Sequence, residues 1–75
     1  MQIQTVIDTI KKQYRGCYYD MDTPIDPQTT RDQILFGDPN QECTGIVVTC
    51  WANVYVIQAA IEKQANLIIC HESLF

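Results

Sequence analysis

Seventy-five residues with a formal net charge of −4, nine acidic side chains against five basic, make one small domain or a piece of a larger one. That balance argues against nucleic acid, which wants a basic stripe, and against an anionic membrane surface. No apolar run approaches the roughly 20 residues that a membrane span needs. A domain of about 60 residues buries only about 60% of its unfolded surface, so a chain this short is expected to lean on a disulfide, a metal or a partner chain.

Residues 3 to 14 open the chain with Ile3, Val6, Ile7, Ile10 and Tyr14. Their spacing is one stripe of an amphipathic helix. Gln4, Asp8, Lys11 and Lys12 fill the opposite side, and Asp8 to Lys12 is an i, i+4 pair with the acid first. Arg15-Gly16 is the expected end, where glycine can take the left-handed cap. Cys17 to Arg31 carries Asp20, Asp22, Asp26, Pro24 and Pro27 and reads as a loop, with Tyr18 and Tyr19 as anchors. Its acids lack the glycine and distal glutamate of a calcium loop, so a solvated connection is the better reading.

Asp32 to Pro39 reads as a short strand, with Ile34, Leu35 and Phe36 as its apolar mass, running into the turn Gly37-Asp38-Pro39-Asn40. Ile46-Val47-Val48-Thr49-Cys50 is the clearest strand, apolar on both faces as a central parallel strand would be. Asn53 is the expected N-cap of a helix running to about Gln64, with Val54, Ile57, Ala60 and Ile61 as its buried stripe. Asn66 is expected to close that helix in the left-handed conformation. Leu67 to Cys70 forms the next strand. Strand, helix, strand in this span predicts a βαβ unit with parallel strands and a right-handed crossover. The fold class expected is therefore α/β: an N-terminal helix, a short strand, then the βαβ unit.

Four cysteines, Cys17, Cys43, Cys50 and Cys70, include no C-x-x-C pair. Cys50 and Cys70 end apolar runs and read as small buried residues with inert thiols. The first residues lack a basic start and an apolar signal core. The expectation is a cytoplasmic protein with reduced thiols.

Parallel pairing carries both strand ends to one rim, where open α/β sheets keep their ligands. That rim receives His71, the only histidine, and Glu72 directly after it. Imidazole is a common metal ligand and titrates near neutrality. A neighbouring carboxylate can ligate the same ion or orient the ring. The plain alternative is a strand-end histidine beside a solvated glutamate. No glycine-rich nucleotide loop occurs.

The segment from Thr44-Gly45-Ile46-Val47-Val48-Thr49 through Ala52, Val56 and Ala60 to Ala65-Asn66-Leu67-Ile68-Ile69-Cys70-His71-Glu72 resembles the amino-terminal part of the Nif-three-like family. Its members are also called GTP cyclohydrolase I type 2 homologues or dinuclear metal-centre proteins. Asp32, Gly37, Asp38 and Pro39 resemble the upstream segment of its His-Glu branch. The resemblance implies a larger α/β fold and a site for a divalent metal (zinc, manganese or iron), with two ions in the complete protein. It implies homo-oligomers, a small-molecule substrate of unknown identity and metal-dependent hydrolase-like chemistry. His71 takes the place of the first ligand, and Glu72 stands where the best-known branch has a second histidine. Gln64 and Ser73 stand where members commonly carry glycine and proline. The remaining ligands belong to downstream sequence, so the chain reads as an amino-terminal fragment, inactive alone. A non-catalytic, self-associating interaction module is the alternative, since 47% of the residues are hydrophobic in a chain too short to bury them well.

Overall fold

A computed structural model describes residues 1–14, 17, 22–26, 28 and 32–72. They form two α-helices and a two-stranded parallel sheet, a mixed α/β architecture. The chain divides into two units, Met1–Gln41 and Glu42–Phe75.

In the first unit, helix α1 spans Ile3–Tyr14. Ile3 is buried and Val6 and Ile7 are half-buried, so the start of the predicted stripe is the covered face. Ile10 lies exposed. The first N–H groups of a helix have no intrahelical acceptor. Here Ile3 N–H donates to the Gln41 carbonyl at 3.0 Å, and Gln4 N–H to that of Pro39 at 2.9 Å. The 38–41 turn supplies those carbonyls. It is held by Asp38 Oδ1, which accepts from Asn40 N–H at 2.9 Å, and by Gln41 Nε2, which donates to the Asp38 carbonyl at 3.0 Å. Asp8 accepts from Gln4 Nε2 at 2.9 Å, so its i, i+4 partner lies upstream rather than at Lys12.

The predicted strand at 32–39 does not form. Asp32 takes a φ of 54° and Gly37 one of 97°, which leaves only four residues between two left-handed positions. A strand exists by its ladder, and no strand among the described residues pairs with that run. Phe36 is 92% exposed as a result. The glycine turn itself is as expected, since Gly37 uses the positive φ that a side chain disfavours. Within the predicted 17–31 loop, Cys17 and Pro24 form an isolated antiparallel bridge, and Asp26 Oδ1 accepts from Gln28 N–H at 2.8 Å. The expected cap at Arg15-Gly16, the anchors Tyr18 and Tyr19, and the acid Asp20 lie outside the described residues.

In the second unit, β1 (Ile46–Thr49), α2 (Val54–Glu62) and β2 (Leu67–Cys70) follow one another in the chain. The strands pair parallel, in the register Ile46↔Leu67, Val47↔Ile68, Val48↔Ile69 and Thr49↔Cys70. Two corrections concern burial. The expected two-faced cover of β1 is absent: Val47 and Thr49 are half-buried, whereas Ile46 and Val48 are exposed. Within this unit, two strands and one helix leave one face of the sheet without a layer over it among the described residues. The covered stripe of α2 shares only Ala60 with the predicted one. Ala60 is buried at 2% exposure and Val56 and Ala59 are half-buried, while Val54, Ile57 and Ile61 are exposed. This helix is apolar nearly all round, so two stripes satisfy a 3.6 period. The stripe with two alanines is the one that turns inward.

Asn53 caps α2 as predicted, its Oδ1 accepting from Val56 N–H at 3.0 Å. The other end departs from expectation. Gln64, not Asn66, takes the left-handed conformation, with φ 59°. Ala65 N–H donates to the Ala60 carbonyl at 2.9 Å and Gln64 N–H to that of Ile61 at 3.0 Å. Those two bonds are the Schellman pattern, which usually places glycine where Gln64 stands. Asn66 has another task. Its Oδ1 accepts from Thr44 N–H at 2.8 Å and its Nδ2 donates to the Glu42 carbonyl at 2.7 Å. Thr44 Oγ1 in turn donates to the Gln64 carbonyl. The segment entering β1 is thereby tied to the segment entering β2. No helix among the described residues is long and apolar enough to cross a membrane.

Candidate metal centre

Two further backbone bonds follow the last paired residues. His71 N–H donates to the Thr49 carbonyl at 3.1 Å, and Glu72 N–H to the Cys50 carbonyl at 2.9 Å. The backbone at 71–72 is therefore fixed to the backbone at 49–50. On the β1 side, Thr49 Oγ1 donates to the Trp51 carbonyl at 3.1 Å, which folds the chain around Cys50 before α2 starts.

One step beyond the Thr49↔Cys70 pair, Cys50 and His71 stand side by side. Neighbouring strands lie about 4.8 Å apart and paired residues share a face. The Cys50 thiol, the His71 imidazole and the Glu72 carboxylate offer ligand atoms all within 4.8 Å of one another, Glu72 joining them because the chain bends away from strand geometry at 71–72. His71 Nδ1 is 3.3 Å from Glu72 Oε1. Two ligands held about 2.0–2.2 Å from a tetrahedral ion sit about 3.4 Å apart, so this pair already has the spacing of co-ligands. With the proton on Nδ1, the same contact is a hydrogen bond that leaves Nε2 free to ligate, the carboxylate orienting the ring.

The site is open. The His71 side chain is 81% exposed and that of Glu72 47%. A contact this exposed contributes little to stability. No family model, curated protein or solved structure matches this chain.

His71 and Glu72 thus meet on one rim, as the sequence predicts. The imidazole is not enclosed by aliphatic neighbours. Cys50 is a correction: it is exposed and belongs to the cluster, where the apolar run ahead of it implied burial. The signal that would have placed it is the register, because the residue after Thr49 must fall beside the residue after Cys70. Cys70 itself is half-buried within β2. None of the four cysteines is in a disulfide. Among the described residues, Cys50, His71 and Glu72 are the group of three whose ligand atoms converge in this way.

Proposed function

We propose that this chain is the amino-terminal part of a Nif-three-like metal-binding protein, with His71 and Glu72 as part of its metal site. The supporting observation is the delivery of an imidazole nitrogen and a carboxylate oxygen, 3.3 Å apart, to the shared rim of two parallel strands. In this reading β1, α2 and β2 are a βαβ unit with a right-handed crossover, the first element of a larger α/β fold. Gln64 fits the resemblance in conformation: it holds the left-handed helix end where the family commonly has glycine. A bound divalent ion would act as a Lewis acid in hydrolysis of a small molecule. A two-metal centre needs more ligands than this rim offers, so the chain taken by itself binds an ion without turnover.

Zinc titration by calorimetry tests the reading. One saturable site is expected in the natural sequence, with affinity at least tenfold weaker in His71→Ala. Equal binding by the two proteins would remove His71 from the ligand set.

A second reading has its own support. Val48, Trp51, Tyr55 and Ile61 are all exposed, large apolar side chains that a second copy of the chain could cover. We infer self-association of the chain, which is compatible with metal binding. Sedimentation velocity should show a species heavier than the monomer that dissociates on dilution, and a monomer at every concentration would exclude it.

A further inference from the structure

We propose that the Cys50 thiolate is a third ligand beside His71 and Glu72, and that it turns the site toward zinc-class ions and away from magnesium or manganese. The proposal rests on the metal-site reading above and adds to it the ligand that selects the ion. Three observations support it. The backbone on both sides of the cluster is fixed by the bonds from His71 N–H to the Thr49 carbonyl and from Glu72 N–H to the Cys50 carbonyl. The three ligand atoms lie within 4.8 Å of one another, on side chains that are all exposed. The remaining donor in the set is sulfur, with no disulfide on it.

The chemistry follows from ligand type. Oxygen-rich sites suit magnesium and manganese, whereas thiolate with imidazole suits zinc and the ions that resemble it. Zinc takes sulfur at about 2.3 Å and nitrogen or oxygen at about 2.0–2.2 Å. Closing the cluster to that size needs a contraction of about 1 Å, within reach of exposed side-chain rotation. Coordination leaves the thiol proton to solvent, since sulfur ligates as thiolate. Three protein ligands leave the fourth tetrahedral position open, the pattern of zinc sites that do chemistry rather than hold folds together.

Cobalt(II), a spectroscopic substitute for zinc, is the probe. The natural chain is expected to develop a thiolate-to-cobalt charge-transfer band in the near ultraviolet on titration. Cys70→Ser should keep the band and Cys50→Ser should lose it. Zinc affinity should fall at least tenfold in Cys50→Ser while manganese affinity stays within about twofold, widening the test beyond one spectrum. On the unaltered chain, zinc should slow iodoacetamide alkylation of Cys50, read by peptide mass spectrometry, and leave Cys17 and Cys43 unprotected. If Cys50→Ser keeps the band and the zinc affinity, or zinc gives Cys50 no protection, the thiolate ligand is overturned while His71 and Glu72 stand. If His71→Ala binds like the natural chain, the underlying reading falls as well, and absence of any cobalt or zinc binding overturns both.

Discussion

Gly45→Val is expected to destabilise the second unit by about 3 kcal/mol, the upper end of what forced overpacking costs. A Cβ built at Gly45 would lie 3.1 Å from both Cα and Cβ of Ala65. One of those atoms is backbone, held by the Ala65 N–H bond to Ala60 that closes α2. Rotamer change therefore cannot relieve the contact, and valine adds two further carbons. The Gly45 carbonyl also accepts from Asn66 and Leu67 N–H, each at 3.2 Å, so displacement of Gly45 opens the start of β2. Hydrogen exchange is the readout: amide protection at Asn66 and Leu67 should fall about 100-fold, at 1.4 kcal/mol per factor of ten. Unchanged protection would mean that this close approach is not a packing constraint. Gly37 provides the contrast. Nothing lies within 4 Å of a Cβ there, but its φ is +97°. Alanine at that position costs through conformation alone, on the order of 1 kcal/mol.

The contrast between the two glycines also separates what the sequence could and could not tell. Local periodicity was legible. A 3.6-residue stripe announced α1, the Asn53 side chain announced the start of α2, and the apolar run Leu67–Cys70 was β2 to the residue. Parallel pairing followed from the length of chain between the strands, since a hairpin needs only a few residues and a crossover needs a dozen or more. Features decided by neighbours in space were not legible. Ile34-Leu35-Phe36 has the composition of a strand, yet composition does not supply a ladder partner. The inward face of α2 was ambiguous because apolar residues surround it, and the choice fell to the stripe with small side chains. Asn66 has the residue type for a left-handed cap, but its amide is spent on Thr44 and Glu42, more than 20 residues upstream. Gln64 then takes the strained position, for which its side chain gives no signal.

The candidate site divides along the same line. His71 and Glu72 are adjacent in the chain, so finding one locates the other. Cys50 is 21 positions away from His71, and only the register joins them. An apolar run ending in cysteine suggests a buried thiol, because free cysteine is among the most buried residue types. What overrides that tendency is the fold of the chain at 49–51. The Thr49 hydroxyl bonds to the Trp51 carbonyl, ending the strand and leaving Cys50 at its open end. Where the strand stops thus decides whether the Cys50 sulfur is core or exposed.

Asn66→Ala should lower stability by about 2 kcal/mol, because one side chain serves two backbone groups worth about 1 kcal/mol each. The amide is suited to the task in one orientation only: its oxygen must face the Thr44 N–H and its nitrogen the Glu42 carbonyl. Asn66→Asp distinguishes this clasp from a mere need for a polar side chain. Aspartate keeps the acceptor for Thr44 but sets an oxygen, which cannot donate, against the Glu42 carbonyl oxygen. The aspartate variant is therefore expected to be no more stable than the alanine variant, despite its closer shape. Thr44→Val, which removes the hydroxyl bond to the Gln64 carbonyl and keeps the Asn66 contacts, should cost about half as much. Urea denaturation followed by circular dichroism measures all three. With a slope of about 1 kcal/mol/M for a chain of this size, Asn66→Ala moves the midpoint by about 2 M. If aspartate restores the midpoint of the natural chain, the donor to Glu42 contributes nothing, and the link between the two strand entrances reduces to the Thr44 bond.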